Sequence, residues 1–402
     1  MTSIQLANPS FYQSFSSTAV AVNSKLNSLQ GVKKNTFSPR SFLLTGTTGN
    51  AFAAPGYGAL YIGPIDGSVG STGSGRGTWY NFSVPSTWSP QETSTYGPDI
   101  LTSGSGPGGI GDVALAGTWI NSMGDVLGWY YKGSITTLKN NTLGSITSGF
   151  QSFQARTSKG SLAKTTFLHS VDGGYVVGNY TTTDGPIALY VNSGPESGSF
   201  VYNPISKKQI NLSYADNAKH HTVYGIWKNG NNSYTISGGA SHPQIANQSI
   251  GAKDINTKKA IATVAKDLPD AALGRGMLAD IDPLTGKTLN LHYYSHNNTT
   301  NTNVVTHFQG IYSIDGNVYQ APFVAVNDKG EIHSGNAYIR RLPNGQFSEN
   351  ALWQTFEPTS AGKSLIATSV AGEVDTGRFS TGAPFASIGN NQDYFLAALK
   401  LQ

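Results

Sequence analysis

The sequence predicts an all-β chain: a β-propeller of about six four-stranded blades, bounded by five and seven. Three observations carry that expectation. A hairpin motif recurs, a second turn motif follows it in fixed order, and the composition is poor in charge and rich in glycine. The hairpin motif is an apolar run closed by an Asn/Asp/Gly turn, at 117–124, 167–173, 225–230 and 310–316. Asp172-Gly173, Asn229-Gly230 and Asp315-Gly316 suit two-residue hairpin turns, because both central positions take positive φ and these residues tolerate it. The second motif is a proline turn at Asn203-Pro204, Asp282-Pro283 and Leu342-Pro343, with a further instance at Gly63-Pro64, where it joins the third and fourth strands of a unit.

Taken in order, the first 31 residues stand apart. Asn8 can cap, Pro9 suits a first helical position, and Phe11, Phe15, Val22, Leu26 and Leu29 recur at helical spacing before Gly31. They predict an amphipathic helix that packs as a cap, so residues 1–40 are a helix and linker and 41–402 a single propeller domain. Units then start near Phe42, Val113, Thr165, Thr222, Thr306 and Ser364, a spacing that suits blades of four antiparallel strands. In the fourth unit strands are expected at 223–227, 233–238, 277–281 and 287–293. In the fifth they are expected at 307–313, 318–326, 336–341 and 351–356. Sandwiches do not repeat a four-strand unit this often, and β-helix rungs are much shorter. There is no Trp-Asp blade ending and no double-glycine kelch pattern, so the likeness is to a superfold only, which does not fix function.

Two segments interrupt the period. Residues 89–112 are rich in Pro, Gly and Ser and are expected to form a long loop. Residues 240–276 separate the second and third strands of the fourth unit and hold a short helix at 256–268, stopped by Pro269; this insertion is expected to be a lid.

Composition excludes several functions. Charged residues are 12% of the chain against roughly 25% in average domains. The net charge of +4 is scattered, so nucleic acid is not an expected partner. Without cysteine there is no thiol chemistry, thiolate metal site or disulfide. No segment reaches the ~20 apolar residues of a membrane helix, and the N-terminus lacks the layout of a signal peptide. The neutral Ser/Thr/Asn/Gly surface leans toward an extracellular bacterial protein, with the compartment itself left open.

Motifs with chemistry are few. The glycine pattern at 106–111 resembles a dinucleotide loop, but no strand precedes it and a strand rather than a helix follows, so the context fails. Asp280 and Asp282 are the nearest thing to paired carboxylates for glycoside hydrolysis or calcium binding. Asp282 belongs to the proline turn, where an Asp side chain braces the backbone.

Histidine gives the strongest pattern. In the expected register His220, His221 and His296 lie at loops between blades, His307 opens an inner strand, and His242 and His333 fall in loops between second and third strands. These six of the eight histidines map to one face, beside the lid. Neutral imidazoles gathered at a semi-enclosed mouth can trade protons or ligate a divalent metal. The expected catalytic groups are His220, His221, His307 and Tyr224; Lys219, Arg275, His296, Gln309 and Tyr312 would bind substrate, and His242 and His333 a metal. His169, placed on the opposite face, and His292, on an outer strand, are expected to be structural. Five of the six tryptophans, Trp79, Trp119, Trp129, Trp227 and Trp353, are expected in the core.

Together these predict an enzyme, a lyase or hydrolase acting on a small polar or carbohydrate-like ligand at the channel mouth. The alternative is a non-catalytic, lectin-like propeller. A lectin repeats its binding residues in every blade, whereas these histidines crowd one sector. No cofactor is specified beyond a divalent metal that the histidines could hold, and the sequence leaves the oligomeric state open.

Overall fold

The structure is a computed structural model that describes residues 11–15, 26–38, 41–50, 53–63, 77–182, 197–214, 221–230, 233–240, 274–301, 304–314, 316–327, 332–355, 364–374, 377–385 and 394–399. The described chain is all-β. It divides into two compact units, one of Met1–Gly124, Gly128–Ser152 and Phe356–Gln402, the other of Asp125–Leu127 and Phe153–Thr355.

Along the chain, β1 (Phe11–Phe15) precedes a meander of β2 (Leu26–Lys34), β3 (Phe42–Asn50), β4 (Ala53–Gly63) and β5 (Thr78–Phe82). Next come β6 (Pro90–Thr95), β7 (Asp99–Ile100), β8 (Asp112–Asn121) and β9 (Val126–Ser134). A five-residue helix, α1 (Ile135–Lys139), leads to β10 (Phe150–Phe153). Here β8 lies between β6 and β9, β7 pairs with β8, and β10 with β9.

Three antiparallel ladders build the second unit. They are β11 (Thr165–Asp172), β12 (Tyr175–Thr181), β13 (Gly198–Asn203) and β14 (Lys208–Asn211); then β15 (His221–Lys228), β16 (Tyr234–Ala240), β17 (Arg275–Ile281) and β18 (Thr288–Tyr294); then β19 (Val305–Phe308) and β20 (Tyr312–Ser313), both on β21 (Val318–Val326), followed by β22 (Ile332–Arg340) and β23 (Leu352–Thr355). The chain ends with β24 (Ser364–Val374), β25 (Gly377–Phe385) and β26 (Tyr394–Leu399), and β1 returns to pair antiparallel with β26 through Phe11↔Ala398 and Phe15↔Tyr394.

The predicted turns set these ladders. Gly230 and Gly316 take φ of 81° and 82° at the Asn-Gly and Asp-Gly positions, where a side chain would be strained. At the proline turn, Leu284 N donates to Asp282 Oδ1 (2.9 Å) and Thr285 Oγ1 to Oδ2 (2.7 Å), the bracing expected of an Asp there. That bonding, led by Thr285, holds the Asp282 carboxyl below its ordinary range.

Burial on both faces explains the long apolar runs. Met277, Ala279 and Ile281 of β17 pack with Val177, Val201 and Val223, while Leu278, pointing the other way, packs with Phe308, Tyr319 and Phe323. Alternation along a strand thus feeds two cores. Trp79, Trp119 and Trp129 are buried, and Trp227 and Trp353 pack partly buried against the second core.

The expected N-terminal helix is not formed over the described residues: 11–15 and 26–34 are strands β1 and β2. The helical spacing of Phe11, Phe15, Leu26 and Leu29 is outweighed by pairing, since β26 faces every residue of β1 and β3 faces all of β2 but Asn27 and Gln30. The expected lid falls almost entirely on 241–273, outside the described residues. Among the described residues no helix is long and apolar enough to cross a membrane.

Candidate functional site

Every described candidate lies in the second unit. His220, Lys219 and His242 are outside the described residues. The remaining candidates form three groups rather than one.

The first group sits at one end of the β15–β18 ladder. His221, Ala240 and Arg275 are cross-strand neighbours, and Met277, two residues beyond Arg275, faces Tyr293. Side chains alternate faces along a strand, so His221, Arg275 and Tyr293 share one face. His221 is 5% exposed, its ring lies flat on Tyr214 at 3.6 Å, and its Nε2 is 2.7 Å from the Tyr293 hydroxyl. Arg275 donates to Ser295 Oγ (3.2 Å) and to the Val304 carbonyl (3.1 Å). No carboxylate among the described residues neutralises it, and partial burial lowers its pKa from the ordinary arginine value.

The second group gathers around His307, which is 1% exposed. Gln309 Nε2 donates to Nδ1 (2.9 Å), so Nε2 carries the proton and donates to Thr222 Oγ1 (2.7 Å). Gly239 makes room for the ring: a Cβ there would overlap His307 Cδ2 and lie 3.0 Å from Nε2. Tyr224 meets the ring edge-on at 4.5 Å and stacks on His169 at 4.0 Å. Burial pulls the pKa values of His307 and His169 down to about 3, His169 also feeling His307, so both are neutral imidazoles at physiological pH. Both nitrogens of His307 are thus engaged, and almost none of its surface is exposed.

The third group pairs His296 with His333, rings 5.4 Å apart, walled by Phe323 and Trp353. His296 Nε2 lies 3.2 Å from Thr355 Oγ1, and burial, then His333, lowers its pKa to about 4. These two imidazoles are the nearest approach to a metal site; among the described residues no three His, Asp or Glu side chains gather to hold an ion. Tyr312 lies edge-on to Trp227 at 4.9 Å.

His169 corrects the sequence expectation. It was placed on the far face, yet it contacts Tyr224, because β11 and β15 both slip register by one residue, at 169 and at 224. His292 does lie on the outer strand, its Nε2 3.1 Å from the Glu349 carbonyl. Tyr293 and Thr222 join the site only through contacts across the sheet.

The carboxylates are committed elsewhere. Asp280 accepts two bonds from Arg341 (2.6 and 2.8 Å), one from Thr235 (2.8 Å) and one from Asn290 (2.7 Å). Asn179 fixes the β15 strand beside Tyr224 by bonding both backbone groups of Val223, at 2.9 and 3.0 Å.

No protein-family model matches the chain, and no curated protein does. Among solved structures, the chain is similar to a sialidase of Trypanosoma rangeli in complex with sialic acid (TM-score 0.47, 9% identity). The match covers 98% of this chain and 58% of the sialidase, so the chain spans well under two thirds of that protein. It is also similar to polysaccharide lyase Uly1 (TM-score 0.40, 8% identity, 98% of this chain and 100% of the lyase). A levansucrase of B. megaterium aligns with TM-score 0.42 and 10% identity over 90% of this chain and 94% of the enzyme. At such TM-scores and identities, site chemistry has to be read from the chain's own residues.

Proposed function

We propose that the protein is a propeller enzyme acting on an acidic carbohydrate, and that its reaction is a β-elimination, that of a lyase. Repeated antiparallel sets support the propeller: β2–β5, β11–β14, β15–β18 and β24–β26 with β1 each hold four strands, and β19–β23 is such a set with β19 and β20 both on β21. One observation supports the reaction: a hydrogen-bonded imidazole and phenol, His221 and Tyr293, share a strand end and a sheet face with Arg275, a cation lacking a carboxylate partner among the described residues.

Each group has a role. Arg275 binds the substrate carboxylate, which acidifies the adjoining C–H bond. His221 Nε2 takes that proton, the C–H electron pair becomes the new double bond, and the C–O bond to the leaving sugar breaks. Tyr293 gives its hydroxyl proton to the departing oxygen. Transfer of the proton from His221 to Tyr293 across their 2.7 Å contact then restores both groups. Hydrolysis is less well served, because it calls for two free carboxylates flanking the bond. Asp280 and Asp282, the carboxylates singled out from the sequence, are held by Arg341 and by the turn.

The test is incubation with uronate-containing polysaccharides, following the ultraviolet absorbance of the unsaturated product. His221→Asn and Tyr293→Phe should each lower kcat by about 100-fold or more, and Arg275→Met should chiefly raise KM. New reducing ends without absorbance, or full activity in His221→Asn, would refute the elimination.

A further inference from the structure

Three successive first strands in the second unit each carry one extra residue against the strand that follows. Against β12, the register of β11 slips between Leu168 and Ser170, at His169. Against β16, that of β15 slips between Val223 and Gly225, at Tyr224. On β21, Phe308 faces Phe323 and Tyr312 faces Gln320, so the three residues 309–311 stand against two; Gln309 N donates to the Pro322 carbonyl at 2.8 Å, which keeps Gln309 beside its ladder partner and puts the extra residue at 310 or 311. A bulge takes its residue out of the ladder and re-aims the side chain.

Leu168, Val223 and Phe308 are fully buried and apolar, whereas the residues that directly follow them are His, Tyr and Gln. Their side chains converge: His169 stacks on Tyr224, and Tyr224 and Gln309 both touch His307. Tyr224 and Gln309 are only half-buried, so the cluster reaches the surface. The Gln309 amide nitrogen is engaged, but its Oε1 has no protein donor among the described residues. A stacking ring beside a free amide acceptor, with no charged group among these four side chains, is the chemistry that holds a neutral polyhydroxylated ring. An ion would be desolvated there without compensation.

We propose that positions 169, 224 and 309 form a subsite for one uncharged sugar ring, which stacks on Tyr224 and donates a hydroxyl hydrogen bond to Gln309 Oε1. His169 fixes the plane of Tyr224 from behind, and His307 fixes the Gln309 amide. Thr222, bonded to His307, directly follows His221 on β15, so by strand alternation Thr222 and His307 stand on the opposite face of that sheet from His221. The subsite rests on the carbohydrate part of the proposed function and not on the elimination step.

Saturation-transfer NMR with methyl glycosides of neutral sugars and of glucuronic acid tests the subsite without turnover. At least one neutral glycoside should bind, the uronide should not compete with it, Tyr224→Phe should bind as the parent does, and Tyr224→Ala and Gln309→Leu should each weaken binding about ten-fold, equivalent to ~1.4 kcal/mol. Should Tyr224→Ala lose its fold, the half-exposed Gln309→Leu decides. Absence of transfer to every neutral glycoside, or parental affinity in Gln309→Leu, overturns the proposal. Elimination activity that fails while neutral glycosides still bind refutes only the reaction.

Discussion

Replacing Gly239 by alanine puts the packing of the His307 group to a direct test. Gly239 faces Thr222 across β15 and β16, and the new Cβ would overlap the His307 ring. The ring cannot swing aside without leaving Thr222, because Gln309 holds Nδ1 and Tyr224 closes its edge. Overpacking costs roughly 1–3 kcal/mol, and the lost hydrogen bond about 1. A stiffer unfolded chain returns about 0.5. The expected net loss is roughly 2–3 kcal/mol, read as a lower urea midpoint at unchanged slope. NMR of the imidazoles gives a second reading: His307 stays neutral down to about 3 in the parent and should titrate nearer 6.5 once displaced toward water. A variant with parental stability and an unshifted His307 resonance would show that glycine is not what admits the ring.

Two further outcomes concern stability. Asp280→Ala leaves the Arg341 guanidinium largely buried and unpaired and should cost about 3–5 kcal/mol, whereas Asp280→Ala combined with Arg341→Met should recover about half; equal losses in single and double variants would count against a coupled pair. Acid should also destabilise the fold early. His169 and His307 stay neutral to about 3 and His296 to about 4, while the unfolded chain takes up protons near 6.5, so stability is full above about 6.5 and falls as pH drops toward the folded values. Each imidazole contributes up to about 1.4 kcal/mol per pH unit. Urea midpoints should therefore drop between about pH 7 and 5, before the carboxylates titrate; a flat profile there would mean that these rings are hydrated.

The ladders of the second unit were largely legible in the sequence, because their determinants are local. Asp172-Gly173, Asn229-Gly230 and the Asp282 turn fix where strands stop, and apolar runs buried on both faces fill the space between. The expected strands at 277–281 and 318–326 match β17 and β21 closely. The N-terminus was misread since helical spacing over Phe11 to Leu29 is a weak local preference, and the partners that overrule it lie hundreds of residues away in β26.

At the candidate site the division runs along the same line. Residue types and their crowding in one sector were evident: His221, Arg275, His296, His307 and His333 all fall near strand ends of two adjacent ladders. Which of them meet was not. A one-residue slip brings His169 to Tyr224, a missing Cβ at Gly239 admits His307, and a shared sheet face joins His221 to Tyr293. Turn chemistry and periodicity are written in neighbouring residues and so can be read from the chain alone. Bulges, facing and partner choice depend on groups 70 or more positions apart, as for His221 with Tyr293 and Thr222 with His307, and only folding brings those together.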